Sequence, residues 1–119
     1  MLAKGTLETD TPSNFIMGGD VQTTPETIAS GQTIAQYAPL GRVTASGELI
    51  ESLPGAVDGS QDAIAIAAHA IDTTAAAAKN PVYKGGKFNA DLVVWDGTWT
   101  VAQKAGAFDG TPITLQKPA

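Results

Sequence analysis

The chain has 119 residues, a net charge of -5 and a pI of about 4.5, which suits one domain and disfavours a nucleic-acid or anionic-membrane surface. It contains no cysteine and a single histidine, so disulfides, thiolate metal sites and multi-histidine metal sites are excluded. Hydrophobic residues make up 43% but aromatic residues only 6%, so the core has few large side chains and self-association or a partner is expected to add stability.

Residues 1–31 form the first predicted unit, an extended N-terminal arm. Thr, Pro, Gly, Ser and acidic residues dominate it, and its apolar residues are too sparse to offset the entropy of ordering, so alone it is expected to be mobile. A loose terminus is one interpretation. The other is an arm that pairs with a partner, because no Gly or Pro lies between Gly5 and Asp10. The candidate contact residues of the arm are Thr6, Leu7, Glu8, Thr9, Phe15, Ile16 and Met17.

Residues 32–119 form the second predicted unit, a β-rich domain in which turns separate short strands. The stretch from Ile34 to Leu40 contains Pro39, which suits a strand end or an edge. Two short strand-like runs, 42–44 and 48–50, flank Ala45-Ser46-Gly47 and predict a hairpin.

The stretch from Ala63 to Ile71 is the centre of this predicted domain. Read with period two it is apolar on both faces, which predicts a strand covered on both sides. Helix is the competing interpretation because Ala is the best helix former, but Ile at alternate positions gives no helical stripe. The Ala residues let another backbone approach closely, either within one subunit or between subunits.

The C-terminal part predicts a further hairpin and one or two short helices. Gly85-Gly86 lies between two strand-like runs, which is a strong hairpin signal. Asn89 is a candidate cap for a short helix through Trp95, although a strand fits that stretch equally well. Residues 100–105 predict a short helix that ends at Gly106, and residues 113–115 a closing strand. The fold class is therefore α+β and β-rich, with short antiparallel strands.

The residues predict no enzyme, no cofactor and no metal. The run from Asp58 to Asp62 opens like a calcium loop, but Ala63 replaces the turn glycine, which favours an ordinary turn. A small hydrolase would have to recruit His69 from an apolar strand, so a core or interface histidine is favoured. The sequence holds no phosphate-binding glycine loop, dinucleotide fingerprint or nucleophile elbow.

No signal peptide or membrane span is evident, which indicates synthesis and use in the cytosol.

Four aromatic residues support an alternative function. Trp95, Trp99, Phe108 and Tyr83 would make a sugar-stacking platform if they shared a surface, as in a carbohydrate or host-surface binding module. Because so Ala-rich a core needs its few aromatic residues inside, the platform is the secondary hypothesis.

An ordered series of short motifs resembles the head decoration protein family of lambda-like tailed phages. The series covers about two thirds of the chain and follows an arm of similar Thr/Pro/Gly-rich texture. Its pieces are Ala38-Pro39-Leu40, Gly47-Glu48-Leu49, Asp58-Gly59 leading into 63–71, Asp72-Thr73-Thr74, Tyr83-Lys84-Gly85-Gly86-Lys87-Phe88, 92–95 and Ala107-Phe108-Asp109-Gly110-Thr111-Pro112-Ile113.

This resemblance implies a homotrimer that binds the outer surface of the expanded phage head at threefold and quasi-threefold sites. There the family stabilises the shell against the pressure of packaged DNA, and its N-terminal arm becomes ordered on the major capsid protein. The protein would be made in the bacterial host cytoplasm and reside on the virion, bound to neither nucleic acid nor membrane. Candidate residues of the trimer interface or core are Pro39, Leu40, His69, Trp95 and Trp99.

Overall fold

The computed structural model describes residues 15–116, which form a small strand-rich domain. Its elements are β1 (Ile16–Ile28), β2 (Thr33–Ile34), β3 (Pro39–Arg42), β4 (Leu49–Glu51), β5 (Ala63–Ala67), β6 (Ile71–Asp72), β7 (Ala78–Asn89), a 3-10 helix (Ala90–Leu92), α1 (Val101–Gly106) and β8 (Ile113–Gln116). In this part of the chain, no helix is long and apolar enough to cross a membrane.

Five strands close into a ring. The order is β1-β4-β3-β5-β7, and β7 returns to pair with β1, while β8 adds to β7 outside the ring. Most neighbours are antiparallel, as predicted, but β8 runs parallel to β7, and β1 meets β4 in parallel where Ile28 lies opposite Leu49. The short strands β2 and β6 form a separate antiparallel pair.

The longest ladder joins β1 to β7, from Ile16 opposite Phe88 to Ile28 opposite Ala78. The sheet therefore begins at Ile16, upstream of the predicted domain start at residue 32. Among the described side chains of β1, Ile28 is the only fully buried apolar one. Main-chain hydrogen bonds along the ladder satisfy the backbone of β1 without a row of apolar side chains, which explains why this stretch is so polar in sequence.

The predicted hairpin at Gly85-Gly86 is wrong, because β7 continues through both glycines. Gly86 has φ +130°, and a Cβ built there would lie 3.1 Å from both the Phe88 ring and the Val21 side chain. The pairing with β1 also shifts register between Gly18 and Thr23. The glycines thus allow a close approach between two irregular strands rather than a reversal of the chain.

The first glycine-containing hairpin is confirmed. β3 and β4 pair antiparallel with Arg42 opposite Leu49, and the Val43 amide donates to the Glu48 carbonyl at 2.9 Å. Gly47 closes the turn with φ +77°, a conformation that glycine adopts without strain.

The central strand is confirmed for its first five residues, Ala63–Ala67. Both faces are covered, since Ala65 belongs to one hydrophobic cluster and Ile66 to the other. The strand then ends in a bend at Ala68 and His69. The small residues permit close packing at its start, where a Cβ on the neighbouring Gly41 would overlap the backbone carbonyl of Ser60.

The two predicted helical stretches both form, in short versions. Asn89 caps the 3-10 helix, because its side chain accepts from the Asp91 amide at 2.9 Å. Thr100 caps α1 through a reciprocal pair of hydrogen bonds with Gln103.

Candidate functional site

Phe15 lies at the start of the described chain and is anchored in the core. It is 1% exposed, and its ring stacks on Tyr37 with centroids 3.8 Å apart and planes 11° apart. It also packs against Phe88 at 5.0 Å, and its carbonyl accepts from the Asn89 amide at 2.7 Å. Tyr37 adopts φ +69°, which is uncommon for a residue with a side chain. Phe15 therefore fixes the first described position of the chain, next to residues 1–14, which are called the leading segment below.

The other predicted contact residues of the arm either lie accessible on β1 or fall outside the described chain. Ile16 is 47% exposed and Met17 is half-buried, so both remain accessible on β1. The stretch from Thr6 to Thr9 lies outside the described residues.

Pro39 and Leu40 are interior residues of the ring. Both are fully buried on β3, where Pro39 lies opposite Ile66 and Leu40 opposite Ala65. In the folded subunit they contact core residues and present no surface.

Trp95, Trp99 and Phe108 form an aromatic group beside α1. Trp95 lies 4.9 Å from Trp99 and 6.3 Å from Phe108 between ring centroids. Trp99 is buried and its indole donates to the Ser52 carbonyl at 3.1 Å. Tyr83 belongs to the separate group around Phe15. The four aromatic residues of the sugar-platform hypothesis therefore do not share one exposed face.

His69 is exposed on the bend after β5, because the apolar strand ends two residues earlier. Its Nδ1 lies 2.9 Å from the carbonyl oxygen of Ala70. Within residues 15–116, no Ser or Asp side chain lies within hydrogen-bonding distance of the ring. This arrangement lacks the nucleophile and the orienting carboxylate that a hydrolase triad requires.

Three aspartate side chains accept hydrogen bonds from residues of their own turns. Asp58 accepts hydrogen bonds from the Ser60 hydroxyl and amide, at 2.5 and 3.0 Å, and these bonds lower the pKa of Asp58. Asp72 with Thr74 and Asp96 with Thr98 repeat this arrangement. No group of three or more potential metal ligands occurs in the described part of the chain.

The pKa of one carboxyl group, that of Glu51, is shifted upwards, whereas those of the turn aspartates are lowered. Burial raises the pKa of Glu51, and the negative charge of Asp96 adds to the effect. Asp96 also accepts the Trp99 amide through its backbone carbonyl at 3.1 Å. The two acidic residues, Glu51 and Asp96, therefore lie close together beside Trp99, and their negative charges add at this point.

An open groove of about 880 Å³ lies between α1 and β8. Its lining includes Val93, Trp95, Val101, Lys104, Phe108 and Leu115. The outer edge of β8 has no strand neighbour among the described residues. The sequence alone does not predict this groove, because the groove depends on the parallel placement of β8 beside β7. The one local signal is Val101, an apolar residue at the start of a short helix that has no buried face.

A family model described as bacteriophage lambda head decoration protein D matches residues 8–113. No curated protein matches the chain.

Proposed function

The chain belongs to the family of bacteriophage lambda head decoration protein D, and from this membership we propose that it acts as a homotrimeric capsid cement. The family is one of structural phage capsid proteins, which gives the chain a place in the virion. In our proposal the trimer binds the outer surface of the expanded head at threefold and quasi-threefold sites, after synthesis in the host cytoplasm. It holds neighbouring capsomers together against the pressure of packaged DNA.

The extent of the family match carries this proposal. The match begins at residue 8, so it includes half of the leading segment as well as the ring. We assign attachment to Thr6, Leu7, Glu8 and Thr9, which pair as a strand with the major capsid protein. Pairing of this kind uses main-chain hydrogen bonds and tolerates polar side chains.

Phe15 serves the attachment as an anchor rather than as a contact residue. Fourteen extended residues reach at most about 50 Å, and their origin is fixed because Phe15 is clamped by Tyr37 and Phe88. Ile16 and Met17, which are accessible on β1, are the nearest candidates for additional contacts with the shell.

The trimer increases the strength of attachment. Once one leading segment is bound, the other two bind at a high effective concentration, so that weak single contacts combine. A threefold body also matches the symmetry of the junction that it would cap. The net charge of -5 suits an exterior face that binds no DNA.

Deletion of residues 1–14 tests the proposed attachment. We expect the shortened protein to retain its fold and its trimeric mass but to stop co-sedimenting with expanded capsids that lack decoration protein. The deletion ends before Phe15, so the aromatic clamp and β1 stay intact.

Two substitutions at one position provide the matched control. Leu7→Pro removes an amide donor and should weaken sedimentation with capsids, whereas Leu7→Val favours a strand and should preserve it. Full capsid binding by the deleted protein would contradict attachment through the leading segment.

A further inference from the structure

Three exposed apolar side chains lie around Phe15, at the start of the described chain. They are Ile16, Leu92 and Val94, which are 47%, 36% and 45% exposed, and they are called the Val94 patch below. Isolated apolar residues on a surface need no explanation, whereas a group of them around one point indicates a binding surface.

Hydrogen bonds and ring stacking connect the positions of the patch. The Phe15 carbonyl accepts from the Asn89 amide at 2.7 Å, and Asn89 caps the 3-10 helix that ends at Leu92. The Val94 amide donates to the Tyr37 carbonyl at 3.1 Å, and the Tyr37 ring stacks on Phe15. The third member of the patch follows Phe15 directly in the chain.

The stretch from Leu92 to Val94 is apolar on both of its sides. Val93, in the middle, has an extended backbone, and its side chain is buried in the same hydrophobic cluster as Phe15. Successive side chains of an extended chain point to opposite sides, so Leu92 and Val94 both point away from that cluster. One side of the stretch is therefore covered by the domain, and within residues 15–116 the other side stays exposed.

Tyr37 holds the patch in a fixed position. Its φ of +69° is costly for a residue with a side chain, and such conformations persist where the surroundings determine them. Here the Tyr37 amide donates to the Ala67 carbonyl at 2.9 Å, its carbonyl accepts from Val94 and its ring stacks on Phe15. The surface is therefore preorganised, and a partner can bind it without first ordering it.

We propose that the Val94 patch binds an apolar surface of the major capsid protein. This inference rests on the proposed function, and it adds a contact of the folded body to the strand pairing of residues 6–9. Six Cα–Cα steps lead from Thr9 to Phe15, so the chain between them spans about 22 Å at most. When residues 6–9 are paired with the shell, Phe15 and the patch around it lie within this distance of the shell surface.

The two contacts have different physical roles. Strand pairing by the leading segment uses main-chain hydrogen bonds and leaves the orientation of the body open, because a short connecting chain can bend. Burial of apolar side chains on a fixed surface depends on shape and requires one orientation. The patch therefore sets how the body lies on the shell once the leading segment has attached.

Thiol labelling tests whether the shell covers the patch, because the natural chain contains no cysteine. Val94→Cys and Val57→Cys would be made as separate full-length variants and treated with a maleimide, both unbound and on expanded capsids. Val57 is the matched control, since it is 95% exposed in the loop after β4. We expect Val94→Cys to react in the unbound protein and to lose its labelling on capsids, whereas Val57→Cys should react in both states. Mass spectrometry of the decoration protein measures the labelled fraction.

Serine substitutions measure how much the patch adds to attachment. Val94→Ser should weaken binding to expanded capsids by about fivefold or more, as loss of an important apolar contact at an interface does. Leu92→Ser is a second variant and should weaken binding in the same direction. Val94→Ile, which keeps an apolar side chain, and Val57→Ser should both bind like the natural protein. The oligomeric mass and the unfolding transition of each variant should stay unchanged, because the replaced side chains are exposed.

The results separate failure of the patch from failure of the proposed function. Equal labelling of Val94→Cys in both states, equal protection of the two cysteines, or natural affinity in both serine variants of the patch would overturn the patch as a shell contact and leave the function standing. A Val94→Cys protein that does not label when unbound would assign the patch to a contact between subunits, which also overturns it. If the natural protein did not bind expanded capsids, the proposed function and this inference would fail together.

Discussion

Glu26 joins three strands through its carboxylate. It lies on β1, 3.0 Å from the Lys84 ammonium on β7 and 3.5 Å from the Arg42 guanidinium on β3. Arg42 in turn donates to the Gly47 carbonyl at 2.7 Å, at the turn of the first hairpin. The hydrogen bond from Lys84 is the largest cause that lowers the pKa of Glu26; burial opposes it, and Arg42 adds to the lowering. A single side chain thus couples the long ladder to the hairpin.

Glu26→Gln is expected to lower the free energy of unfolding at pH 7 by about 1 kcal/mol, because half-exposed ion pairs contribute little each. The pKa of Glu26 is lower in the folded state than in the unfolded state. Its contribution is therefore present above the unfolded pKa and is lost as the pH falls through the folded pKa. Urea unfolding at neutral and acidic pH should show the natural protein and the variant converging in acid.

Glu48→Gln is the control for this measurement. Glu48 forms no ion pair within the described residues, so its removal should leave unfolding nearly unchanged at both pH values. A difference between the natural protein and Glu26→Gln that persisted unchanged into acid would contradict an electrostatic origin.

At the scale of elements, β1 is a strand whose two ends depend on different interactions. At its C-terminal end Ile28 is fully buried in the ring, while at its N-terminal end Phe15 packs among aromatic rings. Between them, polar residues such as Gln22 and Thr23 pair with β7 through the backbone. The strand is therefore fixed at both ends by apolar burial and along its length by hydrogen bonds.

Phe15→Ala and Ile16→Ala form a matched pair of adjacent truncations. Phe15 is 1% exposed and Ile16 is 47% exposed. Removing the buried ring should cost about 3 kcal/mol or more, whereas removing the exposed side chain should cost less than about 1 kcal/mol. Thermal or urea unfolding measures both. Equal losses for the two variants would show that Phe15 is not packed as described.

The elements that the sequence predicted correctly are those with local signals. The β3–β4 hairpin follows from its turn residues, and α1 from the glycine at its end, Gly106. The role of Gly85-Gly86 could not be predicted, because it depends on β1, a strand some sixty residues earlier in the chain. Local reasoning correctly marked the glycines as special but could not supply the strand that approaches them.

The predictions about the site were limited for the same reason. The sequence predicts Phe15 as a contact residue of the arm, whereas its burial depends on Tyr37 and Phe88, which are distant in sequence. The sequence predicts His69 on a strand, but β5 ends at Ala67. Apolar composition alone does not indicate which residues of a short stretch face a core, since that depends on where pairing stops.

At the scale of the whole molecule, closure of the ring leaves little free strand edge. The five ring strands β1, β4, β3, β5 and β7 pair on both sides, while within residues 15–116 the outer edge of β8 and the outer edges of the short β2–β6 pair are open. Closed pairing of this kind protects a protein from uncontrolled edge-to-edge association. In our proposal, controlled association with the capsid falls to the leading segment.

Mixed trimers would show whether attachment depends on several leading segments at once. Co-expression of the full chain with the chain lacking residues 1–14 should give trimers with zero to three segments. If the segments act together, each additional one should prolong retention on expanded capsids by about a hundredfold or more, because binding after the first contact is intramolecular. Dilution of loaded capsids, followed by mass spectrometry of the bound fraction, measures this dependence.

Mixtures of the natural chain with Leu7→Val are the control and should be retained independently of composition, since every subunit keeps a strand-compatible segment of the same length. Retention that rose only in proportion to the number of segments would mean that each subunit binds alone. In that case the threefold body would supply symmetry at the junction but no gain in attachment, and the stabilisation of the head would have to arise from contacts made by the ring itself.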